Sequence, residues 1–395
     1  MHFGFVEKGY PGPAGGGGAG TFVQVIGRHL VQRGHRVTVV ARVQGGASSE
    51  EDDEGVRVHR LAVCGPRVLA LLRLPVLRSF RHAAGYLHQG RAVASFLDRH
   101  HAGDPFDLVE YSEGGDYWHR ERRPFKVVSH LHGSRYTFLK QSGRPVTAAD
   151  WRQRKLELAF IRGADQVLSP SRALAEIVQE EAGIALKSLT IRPYPLDAVS
   201  AGTVPGQGRR TGVLRVIFAA RNDPVKGGDV ILDAARDIEE SDGGVAFDFF
   251  GFVPRSDQPL PKSIRIHGFV PREELLQHYG RSDVAVVPSF WDNSPNTVYE
   301  AMASGLPVVG SSVGGIPELI EDGESGFLIA PRDSQAIARC LRRLRDDFSL
   351  RVRMGAAARQ RIMSIADPEP NLESRLEVYR TVVSGLRSSH RTTVA

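Results

Sequence analysis

The chain has 395 residues, 41% hydrophobic and 24% charged, which is length enough for two full domains and the composition of an ordinary globular protein. Its net charge of +6 is spread rather than clustered and comes without a helix-turn-helix, zinc or RNA-binding signature, so no nucleic-acid partner is expected. Cys64 and Cys340 fit no metal or redox spacing, no run approaches about eighteen apolar residues, and the opening residues lack a signal-peptide pattern. A cytoplasmic protein without a membrane span is the expectation.

His2 to Val6 reads as a buried strand, followed by the glycine-rich run PGPAGGGGAGTFV. A helix from about Thr21 to Arg33, ended by Gly34, and a strand from Arg36 to Ala41 complete a doubly wound α/β opening. Gly15, Gly17 and Gly20 satisfy G-x-G-x-x-G, so a dinucleotide oxidoreductase is a rival reading. Against it, the glycines do not follow the strand at once, and the second strand ends in Ala41-Arg42, with no acid for a ribose diol. An Arg there still suits NADP. The glycines equally let a backbone approach a phosphate.

From Cys64 to His101 the chain is apolar, studded with Arg67, Arg73, Arg78, Arg81, Arg91 and Arg99, and broken by Pro75. A loop and an amphipathic surface helix account for it; the sharper alternative is peripheral membrane contact through 64–101. Phe106 to Glu110 reads as a strand. Polar residues at a strand's carboxyl end face the ligand crevice of an open α/β sheet, which makes Glu110, Tyr111 and Glu113 acceptor-pocket candidates, with hydrogen-bonded loop residues as the equal alternative. Phe125 to Ser129 leads into His130 and His132, imidazoles able to donate to a hydroxyl near neutral pH. Ala164 to Ser171 reads as a strand running into a helix N-cap. A Pro/Gly-rich polar stretch then reads as a linker.

Val213 to Ala219 opens a second α/β unit and ends in Ala220-Arg221-Asn222-Asp223-Pro224-Val225-Lys226-Gly227-Gly228. A diphosphate needs a bidentate cation, a second cation and a helix N-terminus; Arg221, Lys226 and the helix starting near Asp229 supply them. Strands at Phe247 to Gly251 and Ile264 to Val270, a helix over PREELLQHYG and a strand over DVAVVPS follow. In the next block, SFWDNSPNTVYEAMASGLPVVGSSVGGIPELIEDGE, a loop carries Asp292 and a helix from Asn296 to Ser304 carries Glu300. Gly305 stops that helix, Leu306 to Gly310 is an apolar strand, and a new helix starts at Ile316-Pro317. Glu300, ionised and acceptor-only, is suited to vicinal sugar hydroxyls.

This arrangement resembles the E-x7-E motif of the retaining glycosyltransferases of family 4, with EAMASGLPVV and GGIPELI nearly intact. Asp292 stands where the family has Glu, Ala220 replaces the Gly of its "GR-x4-KG" clamp, and Tyr-Pro-Leu replaces the Asn-Gly-Val of its "PNG-V-D" hinge. The resemblance implies an α/β protein of the GT-B fold: two facing Rossmann-like domains with the active site in the interdomain cleft. The expected parts are an acceptor-binding domain over 1–192, a linker over 193–212, a donor-binding domain over 213–366 and a C-terminal helix, 367–395, crossing back to the first domain.

The same resemblance implies the roles. Gly16 and Gly17 lie beside the donor phosphates, and Arg221 and Lys226 hold them. Glu300 holds the ribose. Asp292, with Asn293, Ser294, Pro295, Asn296 and Thr297, holds the donor sugar, and His132 contacts it at the reaction centre. The expected activity is retaining transfer from a nucleoside-diphosphate sugar, a UDP-sugar before a GDP-sugar, to a small-molecule or glycan acceptor. No cofactor and no metal are expected, in keeping with the absence of a D-x-D pair. A lipid-linked acceptor, a GT-B nucleotide-sugar epimerase, a PLP-dependent phosphorylase and a non-catalytic nucleotide-sugar-binding protein are the alternatives.

Overall fold

The computed structural model describes residues 1–11, 17–43, 47–63, 78–113, 123–183, 189–196, 212–254 and 259–385. The chain divides into two compact units: Met1–Arg192 together with Glu369–Ala395, and Pro193–Pro368. Gly16, Cys64 and most of the expected linker lie outside the described residues, as do 64–77 of the Arg-studded stretch.

The first unit is built on an eight-stranded sheet: β1 (His2–Val6), β2 (Arg36–Val43), β3 (Ser49–Asp53), β4 (Val56–Ala62), β5 (Leu108–Ser112), β6 (Lys126–His130), β7 (Gln166–Ser169) and β8 (Leu189–Ile191). The strand order is β3-β4-β2-β1-β5-β6-β7-β8, parallel throughout except for β3 against β4. All five residues of β1 are buried, as a central parallel strand covered on both faces requires. Around the sheet lie α1 (Gly18–Gln32), α2 (Arg78–Gly103), α3 (Arg135–Gln141), α4 (Ala148–Gly163) and α5 (Arg172–Ala182). α4 opens on a capping box: Thr147 Oγ1 accepts from the Asp150 N–H while Asp150 accepts from the Thr147 N–H.

The β3–β4 hairpin was not anticipated. SEEDD shows no apolar alternation, and β3 forms because β4 offers a paired edge backed by buried Val56 and Val58. Asp53, at its end, accepts from Tyr10, Gln24 and Arg28. α2 begins inside the Arg-studded stretch; no described helix is long and apolar enough to cross a membrane.

The second unit repeats the plan with six parallel strands: β9 (Leu214–Ala219), β10 (Val245–Phe250), β11 (Ile264–Gly268), β12 (Val284–Val287), β13 (Val308–Ser311) and β14 (Gly326–Ile329), in the order β11-β10-β9-β12-β13-β14. Its helices are α6 (Gly228–Ser241), α7 (Arg272–Tyr279), α8 (Asn296–Ala303), α9 (Ile316–Leu319), α10 (Ser334–Asp346) and α11 (Phe348–Ala366). Phe218, Phe247, Phe249 and Val286 meet Ile231, Ala235, Leu341 and Leu344 of α6 and α10 in one apolar core. A last helix, α12 (Pro368–Ser384), packs in the first unit: its Tyr379 ring meets Phe3 of β1.

Candidate functional site

In the second unit the candidate residues gather beyond the carboxyl ends of β9, β12 and β13. The chain leaves β9 through Arg221, which is exposed and whose side chain bonds to no described residue. A single 3-10 turn, Pro224–Lys226, follows, capped by Asp223 and ended by Gly227 at φ +73°. A Cβ at Gly227 would overlap the Pro288 carbonyl oxygen, so the turn lies flat on the loop after β12, and the Phe290 N–H donates to the Val225 carbonyl at 2.7 Å.

That docking brings Lys226 onto Asp292, 66 residues away: Nζ donates to Oδ2 at 2.5 Å. The ammonium has three donors and uses one here. Asp292 also accepts from Ser289 Oγ at 3.3 Å and from the Asn293 N–H at 3.1 Å. Its carbonyl accepts from the Gly315 N–H at 3.1 Å, and a Cβ at Gly314, φ +54°, would overlap that same oxygen. The loops after β12 and β13 are thereby stitched together.

Asn293, Ser294 and Pro295 are buried between them, and the Ser294 hydroxyl is 2.8 Å from that of Tyr299. Pro295 is the N-cap of α8 and offers no side-chain cap; Asn296 and Thr297, half-buried, form the first turn. An N-terminus of this kind presents N–H groups and the positive end of the helix dipole. Glu300 is buried on the same helix, and its Oε1 receives both Nε and Nη2 of Arg272 at 3.0 Å, while Oε2 accepts from no described residue. Burial pushes its carboxyl above the usual range, and Arg272 works against that rise. Tyr279 lies buried beside the pair, its hydroxyl without a partner among the described residues.

In the first unit His132 follows β6 and is half-buried, its ring packed among its neighbours. Its ring centroid is 4.4 Å from that of His130 and 5.5 Å from that of Phe22 on α1. His130 Nδ1 is 2.9 Å from Glu110 Oε1, and the Tyr379 hydroxyl of α12 donates to Glu110 Oε2 at 2.6 Å. Burial holds both imidazoles well below the usual histidine value; next to burial, His132 is lowered by His130, and Arg375 lowers both. Both are neutral at pH 7. Gly17 begins the cap of α1, its N–H donating to the Gly9 carbonyl at 3.1 Å, and Glu7 accepts from the Gly9 N–H at 2.7 Å.

The expectation that Glu110, Tyr111 and Glu113 line an acceptor pocket meets three buried side chains. Glu113 Oε1 accepts from Arg154 at 2.5 Å and Oε2 from the Gly133 N–H at 2.7 Å. Arg154, 2% exposed, is shared with Glu157 and Glu181 at 3.1 and 2.8 Å. Glu110 is taken up by His130 and Tyr379, and Tyr111 packs edge-on to Phe160 at 5.2 Å. Glu110 and Glu113 therefore act on the loop carrying His132 and Gly133 from behind. Strand-end position was the signal for them, and it says nothing about which way a carboxylate is already committed.

Arg272, Arg154, Arg375 and Tyr379 were not anticipated. Arg154 carried a signal, a charge on the buried face of α4; the others did not. Among the described residues no cluster of three or more His, Cys, Asp or Glu is arranged for a metal ion.

The comparisons with known proteins fit this fold. A family model described as "Glycosyltransferase Family 4" matches residues 16–198, and one described as "Glycosyl transferases group 1" matches 214–347. The chain belongs to the family 4 glycosyltransferases, with two α/β domains of the GT-B fold. It is similar to the glycogen synthase of Mycobacterium tuberculosis, with 26% identity over 94% of this chain and 92% of that one. Among solved structures, sucrose-phosphate synthase from Thermosynechococcus elongatus superposes with a TM-score of 0.77 at 19% identity, covering 98% of this chain and 100% of that one. Anabaena HepE in complex with UDP-glucose gives 0.68 at 16% identity, covering 96% and 100%.

Proposed function

We propose that this protein is a retaining, metal-independent glycosyltransferase that moves a sugar from a nucleoside-diphosphate sugar to a small-molecule or glycan acceptor. The observation that carries the reading is the contact between Lys226 and Asp292 at the uncapped start of α8. It brings the expected clamp cation and the first of the two motif acids together across 66 residues of the second unit. Lys226 keeps two donors for phosphate oxygens, Arg221 adds a guanidinium fork, and the free Glu300 Oε2 accepts from ribose hydroxyls. A UDP-sugar is the first donor to try, a GDP-sugar the second; the Anabaena neighbour was solved with UDP-glucose. A glycan acceptor is supported by the relative named as a glycogen synthase.

In the reaction the bond from the anomeric carbon to the phosphate oxygen breaks and its electron pair leaves with the diphosphate. Arg221, Lys226 and the α8 N-terminus stabilise that growing charge. The acceptor hydroxyl attacks from the same face, forms the new C–O bond and gives its proton to the leaving phosphate, so configuration is retained and no protein nucleophile is consumed. His132, neutral, donates a hydrogen bond to the donor sugar without adding a competing charge.

The test is a donor screen on purified protein, with and without EDTA, reading thermal stabilisation and slow donor hydrolysis for UDP-, GDP- and ADP-sugars. A ligand at a hundred times its dissociation constant adds about 2.7 kcal/mol to the native state. One nucleotide class should stabilise the wild type, resist EDTA and fail on Lys226→Ala and Glu300→Ala. Stabilisation by NADPH instead would overturn the reading in favour of a dinucleotide site.

A further inference from the structure

Arg375 is the largest fully buried side chain, 1% exposed, yet none of its three guanidinium nitrogens has a hydrogen-bond partner among the described residues. A buried arginine that serves as a strut is normally tied by bidentate hydrogen bonds, as Arg154 is tied by three carboxylates in the same unit. Arg375 instead stands over the Phe22 ring, Cζ to centroid 4.9 Å. The same ring meets His130 edge-on at 4.5 Å and His132 at 5.5 Å. Beside it are Tyr379, one helical turn along α12, and Glu110, which both the tyrosine and His130 engage. Arg375 acts on Glu110 as a charge, and on Tyr379 first as a charge and then through a close approach to its hydroxyl that falls short of a well-formed hydrogen bond.

We propose that Arg375 is a positioning residue for sugar transfer: its charge orders the Glu110–His130–His132 cluster from the last helix. The proposal rests on the reading of His132 as the reaction-side histidine. A cation in this place favours ionised Glu110 against the burial that raises its carboxyl. An ionised carboxylate only accepts, so the proton of His130 sits on Nδ1 and the ring is fixed in one tautomer. Burial first, and then His130, hold His132 low, and the same cation adds to that lowering. The charged and titratable groups facing the cluster are Glu110 from β5, His130 and His132 from β6 and its loop, Arg192 after β8, and Arg375, Glu377 and Tyr379 from α12.

The experiment compares wild type with Arg375→Met, Arg375→Gln and Arg375→Lys in the full chain. Three readouts are taken: stabilisation by UDP, GDP and ADP as a folding control, the pH dependence of donor turnover, and titration of isotope-labelled histidines, assigned with His130→Gln and His132→Gln. The two neutral variants should keep nucleotide stabilisation and lose about tenfold in kcat with little change in donor KM. Their acidic limb should move up by about one pH unit, since removing a cation makes nearby histidines easier to protonate. Arg375→Lys should restore the limb. Wild-type limb and kcat in the neutral variants, or Arg375→Lys as damaged as Arg375→Met, would overturn the proposal, the latter by showing that packing and not charge is what matters. If the wild type turns over no sugar nucleotide, the functional reading fails by itself. The histidine titrations then decide the cluster: midpoints of His130 and His132 that do not move between wild type and the neutral variants refute it.

Discussion

Lys226 and Asp292 pair with each other, so on the proposed function a diphosphate would compete with an internal anion for the same ammonium. Asp292→Asn keeps the shape and removes that competitor. Binding of the bare nucleoside diphosphate should tighten while sugar turnover falls, a split that calorimetry and a transfer assay read separately; parallel weakening of both would show that Asp292 only holds the loop. Gly314→Ala tests the loop itself. Its Cβ would strike the Asp292 carbonyl from a left-handed backbone, at a cost of about 2 kcal/mol or more in the urea midpoint. Asp292, Lys226 and Glu300 were singled out in the sequence because each sits in a recognisable motif, and the structure brings the first two into contact. Arg272 was not. It meets Glu300 through the packing of α7 on α8, and no spacing rule relates positions brought together only by tertiary structure.

Elements with a strong local pattern were read closely: β1, β2, β9, β12 and α8 fall within a few residues of expectation. β3 was missed because an acidic, exposed strand carries no apolar period; its pairing comes from β4. α4 shows how an element can matter to the site without touching it. Its Arg154 holds Glu113, which holds the Gly133 N–H, which sets the loop after His132. Arg154→Met would leave three carboxylates enclosed without their cation and should cost about 3–5 kcal/mol in chemical denaturation. Thr147→Ala, which removes only the cap of the same helix, should cost about 1 kcal/mol. Similar losses for the two would mean the carboxylates relax to solvent.

Across the whole molecule, His2, His29, His35, His59, His130, His132 and His278 all sit below the ordinary histidine value, burial being the first cause in each. Unfolded, these side chains take up protons near pH 6.5; folded, they resist until lower pH. The unfolded state therefore binds more protons in that window, and stability should fall as pH drops from about 7 to 5. Melting temperatures that stay level across the interval would contradict the enclosure of these rings.

The membership of α12 in the first unit bears on how the chain is made. Residues 193–368 are contiguous, so a ribosome can release them into a finished sheet, whereas Met1–Arg192 must wait for Glu369 onward before Tyr379 and Arg375 reach Glu110 and Phe22. Until α12 has been made, Glu110 lacks its Tyr379 donor and Phe22 lacks the Arg375 above it. Expressed as separate pieces, 193–368 should fold unaided and 1–192 should not, until a peptide spanning α12 is supplied.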